Sequence, residues 1–202
     1  MYDNLEDYIQ LFTPSIILSH RKERLSLISR YLENKIRHNG QAQLSFICTH
    51  NSRRSQLAQV WGQIAAGYFK QPVLCFSGGT EATSFHAAAI ESLQRAGFEI
   101  EKNNGPNAKF KISYGTEEPE IECFSKIFSH EINPAQDFAA VMTCTEADEN
   151  CPVVPGADQR FSLPYTDPKY ADNSEIESTV YDATSYKIGN EMFYLFSQIG
   201  QS

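Results

Sequence analysis

The stretch that most constrains this chain is Leu44-Ser45-Phe46-Ile47-Cys48 followed by Thr49-His50-Asn51-Ser52-Arg53-Arg54-Ser55-Gln56. The first part is apolar enough for a buried strand, and a helical pattern opens near Arg54. A strand that feeds a helix through so short a connection wraps one loop around a single point. Backbone N–H groups and the positive end of the helix dipole gather there and favour negative charge, whether a bound anion or a thiolate. The guanidinium of Arg54 can grip two oxygens of a tetrahedral oxyanion at once, which a lysine cannot. A cysteine closing a buried strand is otherwise an ordinary small apolar residue, and C-x5-R alone arises by chance. The strand before, the helix after and Ser55 beside Arg54, placed to hydrogen-bond the sulfur, make the pattern specific. Cys48 is therefore the candidate nucleophile. Thr49, His50, Asn51, Ser52, Arg53, Arg54 and Ser55 form the candidate oxyanion-binding set.

The rest of the chain reads as an α/β fold. Strands are expected at 44–48, 72–77, 138–143 and 160–165, and helices at 52–66, 84–96 and within 174–199. Strands alternating with helices argue for a four-stranded parallel sheet flanked by helices. Residues 41–202 are expected to form this domain, preceded by an N-terminal helical extension over 1–40. In that extension Leu25, Ile28, Leu32 and Ile36 recur at helical spacing, and Asn39-Gly40 closes the segment. Its simplest role is packing. Residues 109–114 and 120–128 alternate like two strands, so a β-hairpin-like insertion is expected over about 103–133.

With 202 residues the chain is long enough for one domain with an appendage. A formal net charge of −8 opposes nucleic acid and anionic membranes as partners. No apolar run approaches the roughly 20 residues a membrane helix needs. The acidic start, Met1-Tyr2-Asp3-Asn4-Leu5-Glu6, lacks the features of a signal peptide, so a cytoplasmic location is expected. Five cysteines there should be reduced unless chemistry uses them.

Cys48, Asn51, Arg54, Ser55 and Gln56 stand in a C-T-x-N-S-x-R-S-Q pattern that resembles the low-molecular-weight protein tyrosine phosphatase superfamily. Its form is most similar to the thioredoxin-coupled arsenate reductases. Ser77-Gly78-Gly79-Thr80-Glu81, Met142-Thr143-Cys144 with Ala147-Asp148 and Cys151-Pro152, and Tyr165-Thr166-Asp167-Pro168 resemble further family segments in the same order. The resemblance spans about 43–199. It implies an enzyme in which Cys48 attacks arsenate, Arg54 holds the oxyanion and Asp167 protonates the departing oxygen. It also implies a relay in which Cys144 attacks Cys48, Cys151 resolves the bond, and a thioredoxin-like reductant restores the thiols. His50 stands where the family has Gly, and Arg53 is an additional arginine. In the reductase branch a potassium site uses an Asn, a Glu and a Ser; Asn51 and Ser77 match, but Gln59 occupies the Glu position. Arg160-Phe161-Ser162-Leu163-Pro164 replaces the tryptophan-containing segment before the acid loop.

Cys144 and Cys151 cannot bond across an extended loop, since seven extended residues span roughly 23–25 Å against about 7 Å for a disulfide. The loop between them must curl or rearrange. Their spacing does not suit zinc, and no metal or cofactor is expected. Cys75 and Cys123 fall in expected strands and read as core. Two other functions share these residues: a phosphatase acting on phosphotyrosine or small phosphomonoesters through Cys48, Arg54 and Asp167, and a non-catalytic oxyanion- or redox-sensing module.

Overall fold

The computed structural model describes residues 1–103, 108–151 and 153–200; residues 104–107 of the expected insertion and Pro152 lie outside them. A four-stranded parallel sheet of order β2-β1-β6-β7 forms the centre, from β1 (Ala42–Cys48), β2 (Val73–Gly79), β6 (Phe138–Met142) and β7 (Ala157–Ser162). Strands β1 and β6 carry the apolar runs and are almost wholly buried. The last strand begins earlier than expected because its residues are half exposed, which weakens its apolar signal.

The chain leaves β1 for β2 on one side, and β6 lies on the other. The carboxyl end of β1 is therefore the point where the sheet order switches, the usual place for a ligand crevice in an open α/β sheet. Cys48 is the last residue of that strand.

Helix α3 (Arg54–Tyr68) follows the loop and is buried along most of its length. It lies against β1 and β2; α6 (Glu177–Ser197) packs on α3 and α4 (Ala87–Arg95) on α6, and Trp61, Ile64, Leu93, Tyr181, Ile188 and Phe196 are buried in the shared core. The N-terminal helices α1 (Asp3–Gln10) and α2 (Ser19–Asn39) share this core, contributing Leu5, Ile9, Leu25, Ile28 and Leu32. Gly40 ends α2 in the left-handed region at φ 78°, where glycine carries no Cβ penalty.

The insertion contains the expected antiparallel pair, β4 (Phe110–Ser113) and β5 (Ile121–Cys123). A third strand, β3 (Glu99–Lys102), pairs with β4 and makes a separate three-stranded sheet. That strand is nearly all charged and exposed, so alternation does not reveal it. The segment between Cys144 and Cys151, read from sequence as a loop, is a short helix, α5 (Thr145–Asn150).

One buried ion pair ties the N-terminal extension to the rest. Arg21 of α2 donates from Nε to Glu191 Oε1 at 2.9 Å, from Nη2 to Oε2 at 2.5 Å, and from Nη1 to the carbonyl of Pro164 at 2.8 Å. The Tyr165 hydroxyl donates to the same Glu191 at 2.8 Å. Burial and that carboxylate push the Tyr165 hydroxyl well above its ordinary value, so it stays a donor. Removing one partner of such a pair strands a buried charge, which typically costs about 3–5 kcal/mol. Arg21→Met should therefore destabilise the protein by about that amount in urea unfolding, and Arg21→Met with Glu191→Leu should recover a large part of the loss. An Arg21→Met protein as stable as the parent would show that the pair carries no stability.

Candidate active site

The loop after β1 shows where its hydrogen-bonding groups point. The carbonyl of Cys48 accepts from Thr80 N at 3.1 Å, that of Thr49 from Glu81 N at 2.8 Å, and that of Ser52 from His86 N at 3.0 Å. The carbonyl of His50 accepts from the Ser125 hydroxyl at 2.9 Å, and that of Asn51 from Gln56 Nε2 at 3.1 Å. The peptide bonds of this loop are trans, and a trans peptide sets each N–H opposite the preceding carbonyl. The N–H groups of residues 49–53 therefore lie on the inner side of the loop. Gly79 makes this packing possible: a Cβ there would sit 2.6 Å from the Thr49 carbonyl oxygen and 2.7 Å from Asn51 N.

Asn51 organises the loop from inside. It adopts φ 47°, a left-handed conformation that asparagine tolerates better than most residues, and it is fully buried. Its Oδ1 accepts from Lys126 N at 2.9 Å and Gln56 Nε2 at 3.2 Å, which fixes the amide orientation. Nδ2 then donates to the Ser55 hydroxyl oxygen at 2.9 Å. Because that oxygen is an acceptor from Asn51, its own proton is free for the Cys48 sulfur 3.0 Å away. This is the contact to sulfur expected of Ser55.

The two arginines diverge. Arg54 donates from Nη2 to Asp167 Oδ2 at 2.5 Å and from Nη1 to the Tyr165 carbonyl at 3.2 Å. Its Nε is buried and has no partner among the described residues. Arg53, counted from sequence among the oxyanion ligands, sends its guanidinium elsewhere: Nε to the Tyr181 hydroxyl and Nη2 to Asp172 Oδ2, both at 2.6 Å. Only its backbone stays with the loop. His50 projects a half-exposed ring 3.7 Å from Glu81. Asp167 also accepts from Lys169 N at 3.1 Å and opens the 3-10 turn Pro168–Ala171. Cys48, His50, Ser52, Arg53, Arg54 and Asp167 line a small, shallow cleft.

Cys144 is fully buried next to Thr49 of the loop; its sulfur caps α5 by accepting from Ala147 N at 3.3 Å and stands 3.5 Å from Thr49 Oγ1. Thr49 in turn donates to Glu146 at 3.0 Å. Cys151 is at the other end of α5 and partly exposed. Seven residues of α-helix rise about 10 Å, beyond the roughly 7 Å Cα separation a disulfide allows. The helix must open before these two sulfurs meet. Arg160 holds it shut by an ion pair to Asp148 and by bonds to the carbonyls of Asp148 and Cys151, while Ser162 donates to Asp148 at 2.5 Å.

The residues matching a potassium site do not fit one. The Asn51 oxygen is committed to two N–H donors, and Ser77 donates to Gln59 Oε1 at 2.6 Å. No carboxylate among the described residues joins them, and Lys126, whose backbone N–H caps Asn51, brings a buried side-chain nitrogen over the Phe124 ring.

Sequence reasoning did not anticipate Asp172, Tyr181 as a polar partner, His86, Glu146 or Lys126. The only hint was that a second buried arginine needs a carboxylate, and that does not say which one.

This arrangement is that of the low-molecular-weight phosphatase fold. The structure superposes on a low-molecular-weight phosphotyrosine phosphatase from Vibrio cholerae with a TM-score of 0.54 at 14% identity, covering 78% of this chain and 95% of that one. It also superposes on an arsenate reductase in a phosphate-binding state, with a TM-score of 0.51 at 18% identity, covering 79% and 100%. In sequence it is similar to arsenate reductases. It is 29% identical over 123 residues to Arsenate reductase 2 of Staphylococcus epidermidis, covering 61% of this chain and 76% of the relative. It is 28% identical over 149 residues to Arsenate reductase 2 of Staphylococcus saprophyticus, covering 74% and 93%. No family model matches the chain.

The five thiols differ in environment. Burial pushes the Cys75 thiol far up and the Cys123 thiol up to about 12, whereas Cys151 is partly exposed. Alkylation with iodoacetamide near neutral pH, read by mass spectrometry, should label Cys151 and leave Cys75 and Cys123 unmodified until the protein unfolds. Labelling of Cys75 or Cys123 in the folded protein would contradict their burial.

Proposed function

We propose that this chain is an arsenate reductase-like enzyme that binds its oxyanion in the loop after β1. The observation that carries the reading is the buried, unpartnered Nε of Arg54 beside the Cys48 sulfur and the inward N–H groups. A tetrahedral oxyanion supplies the acceptor that this donor lacks, and buried donors without acceptors are costly. The arsenate reductase relatives and the phosphatase fold support the same chemistry.

In this mechanism the oxyanion takes Arg54 away from Asp167 and lies against the inner N–H groups. The Cys48 sulfur attacks arsenic, and Asp167 gives its proton to the departing oxygen, which leaves as water. Ser55 stabilises the sulfur by donating its hydroxyl proton. The Cys144 thiolate then attacks the Cys48 sulfur; the sulfur–arsenic bond breaks and its electron pair reduces arsenic to arsenite. A Cys48–Cys144 disulfide remains. Cys151 attacks Cys144 once α5 opens, freeing Cys48, and a thioredoxin-type dithiol reduces the Cys144–Cys151 bond. Each sulfur exchange depends on access and thiolate character. The phosphatase reading uses Cys48, Arg54 and Asp167 alike, with water in place of Cys144.

The two cysteines of the relay should fail differently. Cys144→Ser should stop thioredoxin-driven arsenate turnover while aryl phosphate hydrolysis persists. Cys151→Ser should complete one turnover and stall. Mass spectrometry after a single arsenate addition should show a Cys48–Cys144 bridge in Cys151→Ser and a Cys144–Cys151 bridge in the parent protein. Normal arsenate turnover by both variants would give the phosphatase reading first place.

A further inference from the structure

We propose that Arg53 is a positioning residue that keeps the Asp167 loop over Cys48 once the oxyanion has taken Arg54; this rests on the acid role of Asp167 given above. Two adjacent arginines anchor one short segment at two points. Arg54 holds its start through Asp167 and the Tyr165 carbonyl. Arg53 holds its end through Asp172 Oδ2 at 2.6 Å.

The second anchor is a closed ring of three bonds. Arg53 Nε donates to the Tyr181 oxygen, Tyr181 donates to Asp172 Oδ1, and Arg53 Nη2 donates to Asp172 Oδ2, each at 2.6 Å. The Tyr181 hydroxyl both accepts and donates, and each carboxylate oxygen of Asp172 takes one bond, which is what makes a part-buried charge pair rigid. The ring is also fastened from outside. His86 stacks on Tyr181 with ring centroids 5.4 Å apart, reaches Asp172 at 3.6 Å, and donates its backbone N–H to the Ser52 carbonyl. It thus ties the nucleophile loop, the segment after Asp167, α6 and the start of α4 to one another.

The two anchors have different fates in catalysis. To act as the acid Asp167 must carry its proton, which ends its ion pair with Arg54, and the oxyanion then competes for the same guanidinium, so catalysis weakens the first anchor. Asp167 then keeps its own bond to Lys169 N, and the short segment Pro168–Ala171 that follows it stays fastened at its far end through Asp172, with Arg53 as the charged partner. Arg53 does not touch the reacting atoms through its side chain; it limits how far the acid can drift. The loss of a general acid weighs most on leaving groups that need a proton.

The test uses the full-length protein and a series of aryl phosphates with leaving groups of graded acidity. Asp167→Asn should steepen the dependence of kcat on leaving-group acidity relative to the parent. Arg53→Met should steepen it in the same direction, lowering kcat for the poorest leaving group by about tenfold or more while leaving the best within about threefold. KM should change little. Asp172→Asn should behave alike, and the double variant should be no worse than either single one. A second readout needs no turnover: in saturating inorganic phosphate, amide hydrogen exchange over 167–172 should be faster in Arg53→Met than in the parent. Tyr181→Phe, which keeps the Arg53–Asp172 pair, should lie between parent and Arg53→Met in both readouts. Equal slopes in the parent and Asp167→Asn would overturn the acid role of Asp167 and the clamp with it. Unequal slopes with Arg53→Met matching the parent would overturn the clamp alone. A rise confined to KM would make Arg53 an oxyanion contact instead.

Discussion

A loop that turns its N–H groups inward must turn its carbonyls outward, and buried carbonyls need partners. Much of the molecule around Cys48 answers that demand. The turn after β2 supplies the N–H groups of Thr80 and Glu81, and the start of α4 supplies that of His86. The segment following β5 supplies the Ser125 hydroxyl and the Lys126 N–H. That segment lies in the stretch between Asn103 and Asn133, which the family resemblance does not cover, yet it caps Asn51 and so orients Ser55 toward sulfur. What reads in sequence as an insertion beside the domain is thus part of the scaffold of the candidate site.

The N-terminal extension is joined to the site by charge as well as by packing. Arg21 meets Glu191, Glu191 accepts from Tyr165, and the Tyr165 carbonyl accepts from Arg54. Four residues therefore run from α2 to the arginine of the loop. A buried ion pair is weak evidence of added stability, because desolvation offsets much of the attraction. Its geometry is nevertheless demanding, and here it fixes where Pro164 and Tyr165 enter the segment that carries Asp167. Arg53 and Asp172 fix where that segment ends.

The helix α5 sets a different condition. As a helix it caps itself with the Cys144 sulfur and keeps that sulfur against the loop, near Thr49. In the same form it holds Cys151 too far away to bond. The two arrangements exclude each other, so a relay through both thiols needs a segment that can leave its helical state. A single short helix, with few buried side chains, is the kind of element that opens at low cost.

Local features determined a good deal of this protein. Apolar runs bounded by helical periodicity specify the inner strands β1 and β6 of the main sheet, because a buried parallel strand must be apolar on both faces. Cys48, Asn51, Arg54 and Ser55 share one loop simply because they are nearly contiguous between a strand and a helix. The strand Glu99–Lys102 was not legible, since exposed charged residues carry no period, and neither was the helix over Thr145–Asn150, too short and polar for one. Where the charged side chains went was decided only in three dimensions. Arg53 finds Asp172 and Tyr181 across 119 and 128 residues of chain, and Arg21 finds Glu191 across 170. No local pattern encodes such pairings, because they follow from which helices pack side by side and which carboxylate is left facing a buried guanidinium.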